Sequence, residues 1–321
     1  MDRMSEILRF LRDANDYISG DLISTELGIS RTAVWKYINQ LEKKGYGISK
    51  LKGKGYSLVN IPDKLFPWEI NRYLHNSFTK EIIYKETIDS TNTYAFKLAL
   101  TGKPEEGTCV VAESQKSGKG RLNRTWFSPA YQNIYLSVIL RPPVHPSKVY
   151  PITFLSSLAV YDTVKDLTGL PPTLKWPNDV LINGKKVCGT LLEISTEADM
   201  VSFVIIGIGF NINMDAQHTD ESIKDKATSL YMETDKTYNR TYVCAVLLSM
   251  LERYYSVFLE KGEREICNIW ESKALIKGKY IEINQMTEVF RGISEGIDID
   301  GAMLLNINGE IKKIIAGDVL F

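Results

Sequence analysis

Two short segments of this 321-residue chain hold most of the side chains that could do chemistry. The first is Gln115-Lys116-Ser117-Gly118-Lys119-Gly120-Arg121-Leu122-Asn123-Arg124-Thr125-Trp126. Glycines let backbone N–H groups come close to an anion. Lys119, Arg121 and Arg124 can add charge-assisted bonds to a carboxylate or phosphate, and Trp126 offers a stacking face to a nucleobase. The second is Lys175-Trp176-Pro177-Asn178-Asp179, where a cation and a carboxylate flank a rigid Trp-Pro step. Such a spot can position a phosphate and a metal ion together. Lys185 and Lys186 follow across a turn; side chains alternate along a strand, so the two point to opposite faces and one of them faces a pocket. The residues alone leave plainer readings open: a solvated surface loop for the first segment, and a structural turn with Trp176 in the core for the second.

Several other chemistries are excluded. No G-x-x-x-x-G-K-[ST] occurs. Gly207-Ile208-Gly209-Phe210-Asn211 begins like a dinucleotide fingerprint, but Ile212 stands at the third glycine position, which rules out a Rossmann assignment. Cys109, Cys188, Cys244 and Cys267 form no C-x-x-C pair. They predict reduced thiols in a cytoplasmic protein rather than a disulfide framework or a zinc site. His75, His145 and His218 are scattered and read as surface or loop residues. The first residues, Met1 to Glu6, lack the apolar stretch of a signal peptide, and no run of about 18 apolar residues predicts a membrane span. Thirty-nine basic residues balance thirty-nine acidic ones, so global charge names no partner and local charge must.

The elements that position these segments begin with a small helical region. Ile7, Leu8 and Leu11 recur at helical spacing over Met4 to Leu11, and a second helix is expected from Gly20 to Leu27. Gly28-Ile29-Ser30 forms a turn with Ser30 as N-cap, and a third helix runs from Arg31 to about Lys44 with Val34, Ile38 and Leu41 inward. Gly45 ends it. Two helices joined by a glycine-containing turn make a helix-turn-helix. The apolar stripe leaves Arg31, Thr32, Lys36, Asn39 and Gln40 outward. Strands at Ile48 to Lys52 and Tyr56 to Val59 then flank Gly53-Lys54-Gly55, a basic wing tip that adds Lys52 and Lys54. From Ser30 to Asn60 the net charge is +6, with Glu42 the single acidic residue, an electrostatic footprint for DNA. A helical domain with a solvated basic face is the plainer alternative. Ile61-Pro62-Asp63 reads as a linker.

Beyond it, β-rich runs (Thr108 to Ala112, Ile134 to Leu140, Phe203 to Ile208) and helical patterns (Ile152 to Leu167, Tyr242 to Leu259) are not regularly interleaved. That predicts a mixed sheet with helices packed on it. Val180 to Ile182, Asn183-Gly184 and Lys186 to Leu192 form a hairpin signal, because Asn-Gly suits a type I′ turn. From about Ser272 short runs crowd together: Tyr280 to Ile283, Glu288 to Phe290, Glu295 to Ile299, Ala302 to Ile307 and Ile311 to Ile315. Strands at this density predict a small barrel. The expected division is 1–62, 63–271 and 272–321.

Taken in order, Ser90-Thr91-Asn92, Gly118-Lys119-Gly120-Arg121, Lys175 to Asp179, Lys186 and Gly207 to Asn211 resemble the biotin protein ligase family. With the winged helix in front and Gly296-Ile297-Asp298 to Leu305 behind, the resemblance spans nearly the whole chain and points to the bifunctional ligase–repressor type. It implies an α+β multidomain fold: a winged helix-turn-helix, a central mixed sheet related to class II aminoacyl-tRNA synthetases, and a C-terminal SH3-like β-barrel. It also implies biotin and ATP as substrates, Mg²⁺, no tightly bound prosthetic group and a cytoplasmic location. The implied partners are a biotin carboxyl carrier protein, operator DNA and, with biotinoyl-AMP bound, a second copy.

By the same resemblance Ser90, Thr91, Asn92, Gln115, Lys119, Gly120, Arg121 and Lys186 bind biotin. Arg121, Arg124, Trp126, Asn178, Asp179, Lys186 and Asn211 hold ATP and the adenylate, with Asp179 the candidate Mg²⁺ ligand. Lys186 and Arg121 are the catalytic pair. Ser30, Arg31, Thr32, Lys36, Asn39, Gln40, Lys52 and Lys54 face DNA. The family's loop often reads G-R-G-R-x-G-R, whereas this chain has Lys119 and Asn123. Lysine lacks the bidentate fork of arginine, so the change is expected to affect how tightly the intermediate is held. The competing readings are a non-catalytic sensor, a ligase for lipoate, and a ligase whose N-terminal domain does not bind DNA.

Overall fold

The computed structural model describes all residues except 1, 2, 15, 76, 103, 198, 218, 286, 287 and 321, and the backbone alone of 123 and 320. His218, Met1 and Asp2 therefore lie outside the described residues, as does the side chain of Asn123. The chain forms two compact units, residues 1–64 and 65–321.

In the first unit, α1 (Arg3–Asp13), α2 (Gly20–Leu27) and α3 (Arg31–Lys43) bury Ile7, Leu8, Leu11, Ile23, Val34, Ile38 and Leu41 among themselves. Ser30 caps α3, its Oγ accepting from Ala33 N at 3.1 Å, which satisfies an N–H the helix cannot. The turn before it closes on Gly28 at φ 62, a left-handed conformation that glycine adopts without cost. Strands β1 (Gly47–Leu51) and β2 (Gly55–Asn60) pair antiparallel as the wing. Tyr56 also bridges to Ile18, which ties the wing back to the helices. A Cβ on Gly55 would collide with the Ile18 carbonyl.

The second unit opens with the short α4 (Pro67–Ile70) and is built, among the described residues, on a seven-stranded sheet. Its strands are β3 (Ile82–Ile88), β4 (Cys109–Gln115), β5 (Ile134–Leu140), β6 (Thr173–Lys175), β7 (Asp179–Ile182), β8 (Lys185–Glu197) and β9 (Met200–Phe210), in the order β3-β4-β5-β9-β8-β7-β6. Only β3 and β4 run parallel, joined by the crossover helix α5 (Thr91–Thr101); the other neighbours are antiparallel. The β7–β8 turn has Asn183 at φ 49 and Gly184 at φ 78, both signs a type I′ turn requires.

Both faces of this sheet are covered. α5 packs Ala95 and Ala99 on Val110, Ile139, Phe203 and Ile205. On the other face lie α6 (Ile152–Thr168), α8 (Arg240–Lys261) and α9 (Glu263–Ala274), preceded by the short α7 (Leu230–Thr234). α8 is long and apolar enough by composition to cross a membrane, yet Val243, Leu247, Leu248, Leu251 and Phe258 are buried in the core against α6. The same core continues through Ile281, Ile283, Met303 and Leu305 of a second, antiparallel sheet. Its strands are β10 (Tyr280–Asn284), β11 (Val289–Ile297), β12 (Met303–Ile307), β13 (Glu310–Ile314) and β14 (Asp318–Leu320), ordered β13-β12-β11-β10-β14. The runs at 288–290 and 295–299, expected as separate strands, form one strand with a bulge between Ser294 and Gly296, because Gly296 at φ 106 absorbs the irregularity.

Candidate functional site

A cavity of about 680 Å³ opens on the α5 side of the large sheet. Its floor is a row of register partners across four strands, Lys175–Asp179–Gly189–Gly209. The two glycines make room for Trp126: a Cβ on either would overlap the indole. Gly207, two residues along, does the same for Asn92.

One end of the cavity is polar and lined by buried side chains. Ser90, Thr91 and Asn92, at the start of α5, are each under 5% exposed. Thr91 donates to Gln115 Oε1 through both its backbone N (2.9 Å) and its Oγ1 (3.1 Å), and Gln115 Nε2 donates to Ser128 Oγ (3.0 Å). Ser137 Oγ lies 2.6 Å from Asn92 Oδ1 and 2.8 Å from Thr91 Oγ1, while Asn92 Nδ2 donates to Glu193 Oε2 at 2.8 Å. These fixed amides and hydroxyls suit a small neutral polar group such as an amide or urea.

The other end is cationic. Lys186, not Lys185, lines the cavity, with its Nζ 2.7 Å from Asp179 Oδ1 and 5.2 Å from the Trp126 ring centre. Arg121 donates to Asn178 Oδ1 (3.1 Å) and lies 3.9 Å from Asp318 Oδ1; Arg124 pairs with Asp318 Oδ2 at 2.5 Å. The glycine segment closes on itself: Trp126 N donates to Gly118 O (2.8 Å) and Gly120 N to Arg124 O (2.7 Å). A Cβ on Gly118 would strike the Trp126 carbonyl, so the closure requires glycine there. Asn178 is buried and donates to Thr190 O. Asn211 donates to Thr228 O at 2.9 Å and accepts from Asn133 Nδ2 at 3.3 Å.

Every residue expected to bind biotin or adenylate thus lines one cavity, including Gly120, and Lys119 sits there 3.9 Å from Glu193. Six cationic and two carboxylate side chains line it, four net positive charges in all. That field favours a polyanion beside the neutral polar end. Trp176 followed the plainer reading: it is 1% exposed and donates to Gly301 O at 3.0 Å, so it belongs to the core. Asp179, the candidate metal ligand, is not part of any cluster of three metal-binding side chains among the described residues. The sequence reading missed Glu193, Ser137, Asn133, Lys226 and above all Asp318, which arrives from a strand about 200 residues away (Arg121 to Asp318). No local pattern marks it; only the pile-up of arginines hints that a carboxylate must be near.

Beneath the site, Glu113 and Arg240 form an ion pair at 2.8 Å with no exposure on either side. Leu65 N donates to the other Glu113 oxygen at 2.7 Å, and Arg240 donates to Asn133 O at 3.1 Å. Such pairs persist only when fully bonded.

In the first unit, Ser30, Arg31, Thr32, Lys36 and Gln40 on α3 and Lys52 and Lys54 on the wing are exposed. Asn39 departs from the expectation: it is half-buried and accepts from Lys50 of the wing at 3.0 Å. Arg31 pairs with Asp21 at 2.5 Å. Trp35, unremarked in the sequence, stands 53% exposed on the same helix. His75 and His145 are exposed, as expected, and all four cysteines are free and buried.

A winged helix on one unit and a cationic, nucleotide-sized cavity on the other fit a nucleic-acid-binding module joined to a unit that takes an anionic, nucleotide-like ligand. Comparison with known proteins names the family. Residues 84–211 match the biotin/lipoate A/B protein ligase family, 3–57 a helix-turn-helix domain, and 278–321 the biotin protein ligase C-terminal domain. The bifunctional ligase/repressor BirA of Bacillus subtilis is 39% identical over 97% of this chain and 95% of its own length. The biotin–[acetyl-CoA-carboxylase] ligase of Paracoccus denitrificans is 34% identical over 73% of this chain and 97% of its own. The solved structure of the biotin protein ligase from Aquifex aeolicus in complex with biotin and ATP matches 75% of this chain and 98% of that one, with 31% identity and a TM-score of 0.64. The chain belongs to the biotin protein ligase family, in its bifunctional ligase/repressor form.

Proposed function

We propose that the protein activates biotin with ATP to biotinoyl-AMP, transfers biotin to a lysine of a carboxylase carrier protein, and represses transcription with biotinoyl-AMP as corepressor. The observation that carries this reading is the single cavity in which a neutral polar end and a cationic end meet at Lys186. The polar end takes the biotin ring. Lys119 and Arg121 take its carboxylate, Lys186 bridges carboxylate and α-phosphate, and Arg121, Arg124 and Trp126 close over the adenylate with Asn178 and Asn211. Two anions must meet in the first step, and fixed cations lower that barrier without an enzyme nucleophile. Mg²⁺ commonly binds through substrate phosphates with one or two protein carboxylates; of the two carboxylates in this cavity, Asp179 is the one beside Lys186 and would hold the ion, which would neutralise phosphate charge.

In the same reading, residues 1–62 bind operator DNA, 63–271 catalyse, and 272–321 supply Asp318 to the glycine loop. The protein works in the cytoplasm and pairs with a second copy when biotinoyl-AMP is bound. Biotin-dependent exchange of pyrophosphate into ATP tests the enzyme, and its absence from folded protein refutes it. A gel shift with DNA from upstream of biotin genes tests the repressor. Binding should tighten with biotin and ATP, and Lys36→Ala should lower the slope of log affinity on log salt by about 1. Operator binding indifferent to both ligands would refute the corepressor role.

A further inference from the structure

Lys175 ends β6, and its register partner is Asp179 on β7. Directly opposed residues of an antiparallel pair project from the same face of the sheet. Asp179 turns its carboxylate into the cavity to meet Lys186, so Lys175 faces the cavity as well; it lines the cavity wall and is half-buried. The row continues through Gly189 and Gly209, under the Trp126 indole. Lys175 therefore stands one strand spacing, about 4.8 Å, beyond Asp179 on the side away from the glycine floor.

Its surroundings set it apart from four of the other cations that line the site. Arg121 and Arg124 share Asp318, Lys186 has Asp179, and Lys119 lies near Glu193. Among the described residues Lys175 has no carboxylate within ion-pair distance. A half-buried ammonium without a counter-anion is destabilising, and an arriving anion offsets that cost. Lys226 lines the cavity without a carboxylate too, but it is exposed to solvent, so Lys175 is the half-buried cation left uncommitted, next to the residues assigned to the α-phosphate.

We propose that Lys175 receives the β- and γ-phosphates of ATP and stabilises pyrophosphate as it departs. The proposal rests on the adenylation reading above. In that step a carboxylate oxygen of biotin bonds to the α-phosphorus. The bond from that phosphorus to the oxygen bridging to the β-phosphate breaks, and its electron pair stays with pyrophosphate. No proton moves. Negative charge grows on the bridging oxygen, and a fixed cation beside it favours the transition state over the ground state.

Lys175 acts on the first half-reaction alone, because no pyrophosphate is present when biotinoyl-AMP meets the acceptor lysine. The full-length chain is compared with Lys175→Met and Lys175→Arg in two assays: biotin-dependent ATP–pyrophosphate exchange, and transfer of biotin from synthetic biotinoyl-AMP to the accepting domain of a bacterial acetyl-CoA carboxylase. Lys175→Met should lower exchange by about 10²-fold and raise the KM for pyrophosphate. Its transfer from biotinoyl-AMP should stay within about twofold of the unaltered chain, which also reports that the site has folded. Lys175→Arg should recover much of the exchange. Unchanged exchange kinetics in Lys175→Met, or equal loss of both half-reactions, would overturn the assignment. Absence of exchange in the unaltered chain would instead overturn the adenylation reading, and this proposal with it.

Discussion

Replacing Lys186 with methionine keeps the aliphatic stem beside Trp126 and removes only the charge. The side chain is 33% exposed, and its ammonium sits 2.7 Å from Asp179. A phosphate oxygen at about 4 Å in a site of effective dielectric about 20 gains about 4 kcal/mol from that charge. Deletion of a single preorganised donor from an active site typically costs about 2.7–4 kcal/mol. The two figures agree, and they correspond to a fall of about 10²–10³-fold in rate. The loss is a lower bound, because Asp179 is left unpaired beside the incoming anions. Since Lys186 is assigned to the carboxylate and the α-phosphate, it acts in both half-reactions. Exchange and transfer from preformed biotinoyl-AMP should therefore fall together, in contrast to Lys175→Met. A decrease below about tenfold in exchange at saturating ATP would refute the electrostatic role.

Three further outcomes are expected. Gly209→Ala puts a methyl into the Trp126 indole, an overpacking that costs about 1–3 kcal/mol or expels the ring; a lower Tm with altered tryptophan fluorescence and lost exchange is the expected signature, and a variant with native spectrum and activity would contradict the packing. Arg240→Met leaves Glu113 with no ion-pair partner in a fully buried site, at a cost of about 3–5 kcal/mol read from the urea midpoint at constant m-value. Burial pushes all four thiols up, Cys244 and Cys267 to about 12. A raised thiol pKa keeps the neutral form well into alkaline solution, so iodoacetamide at about pH 8 should modify none in the native protein and all four after denaturation.

The winged helix was legible from local signals: Ser30 as cap, Gly28 at the turn, the stripe Val34–Ile38–Leu41. Each acts within a few residues, so each survives without knowledge of the rest of the fold. The Asn183-Gly184 hairpin was legible for the same reason, and alternation alone said that one of Lys185 and Lys186 faces a pocket. Which of the two it is depends on what covers each face of β8, and only the packed sheet answers that. The single strand Val289–Ile297 was read as two, because glycines punctuate it and a bulge leaves no pattern distinct from a turn.

What the sequence determined by itself, then, is the set of chemical groups: the glycine-spaced cations, the Lys175 to Asp179 segment, and the basic helix and wing. What the tertiary structure decided is which of them meet. Strand register places Lys175, Asp179, Gly189 and Gly209 in one row, and Asp318 reaches Arg121 and Arg124 from the last strand of the chain. Contacts over such sequence separations arise because burial of apolar area holds the two sheets in one continuous core. That force has no direction, so no local run of residues specifies which carboxylate comes to rest beside which arginine.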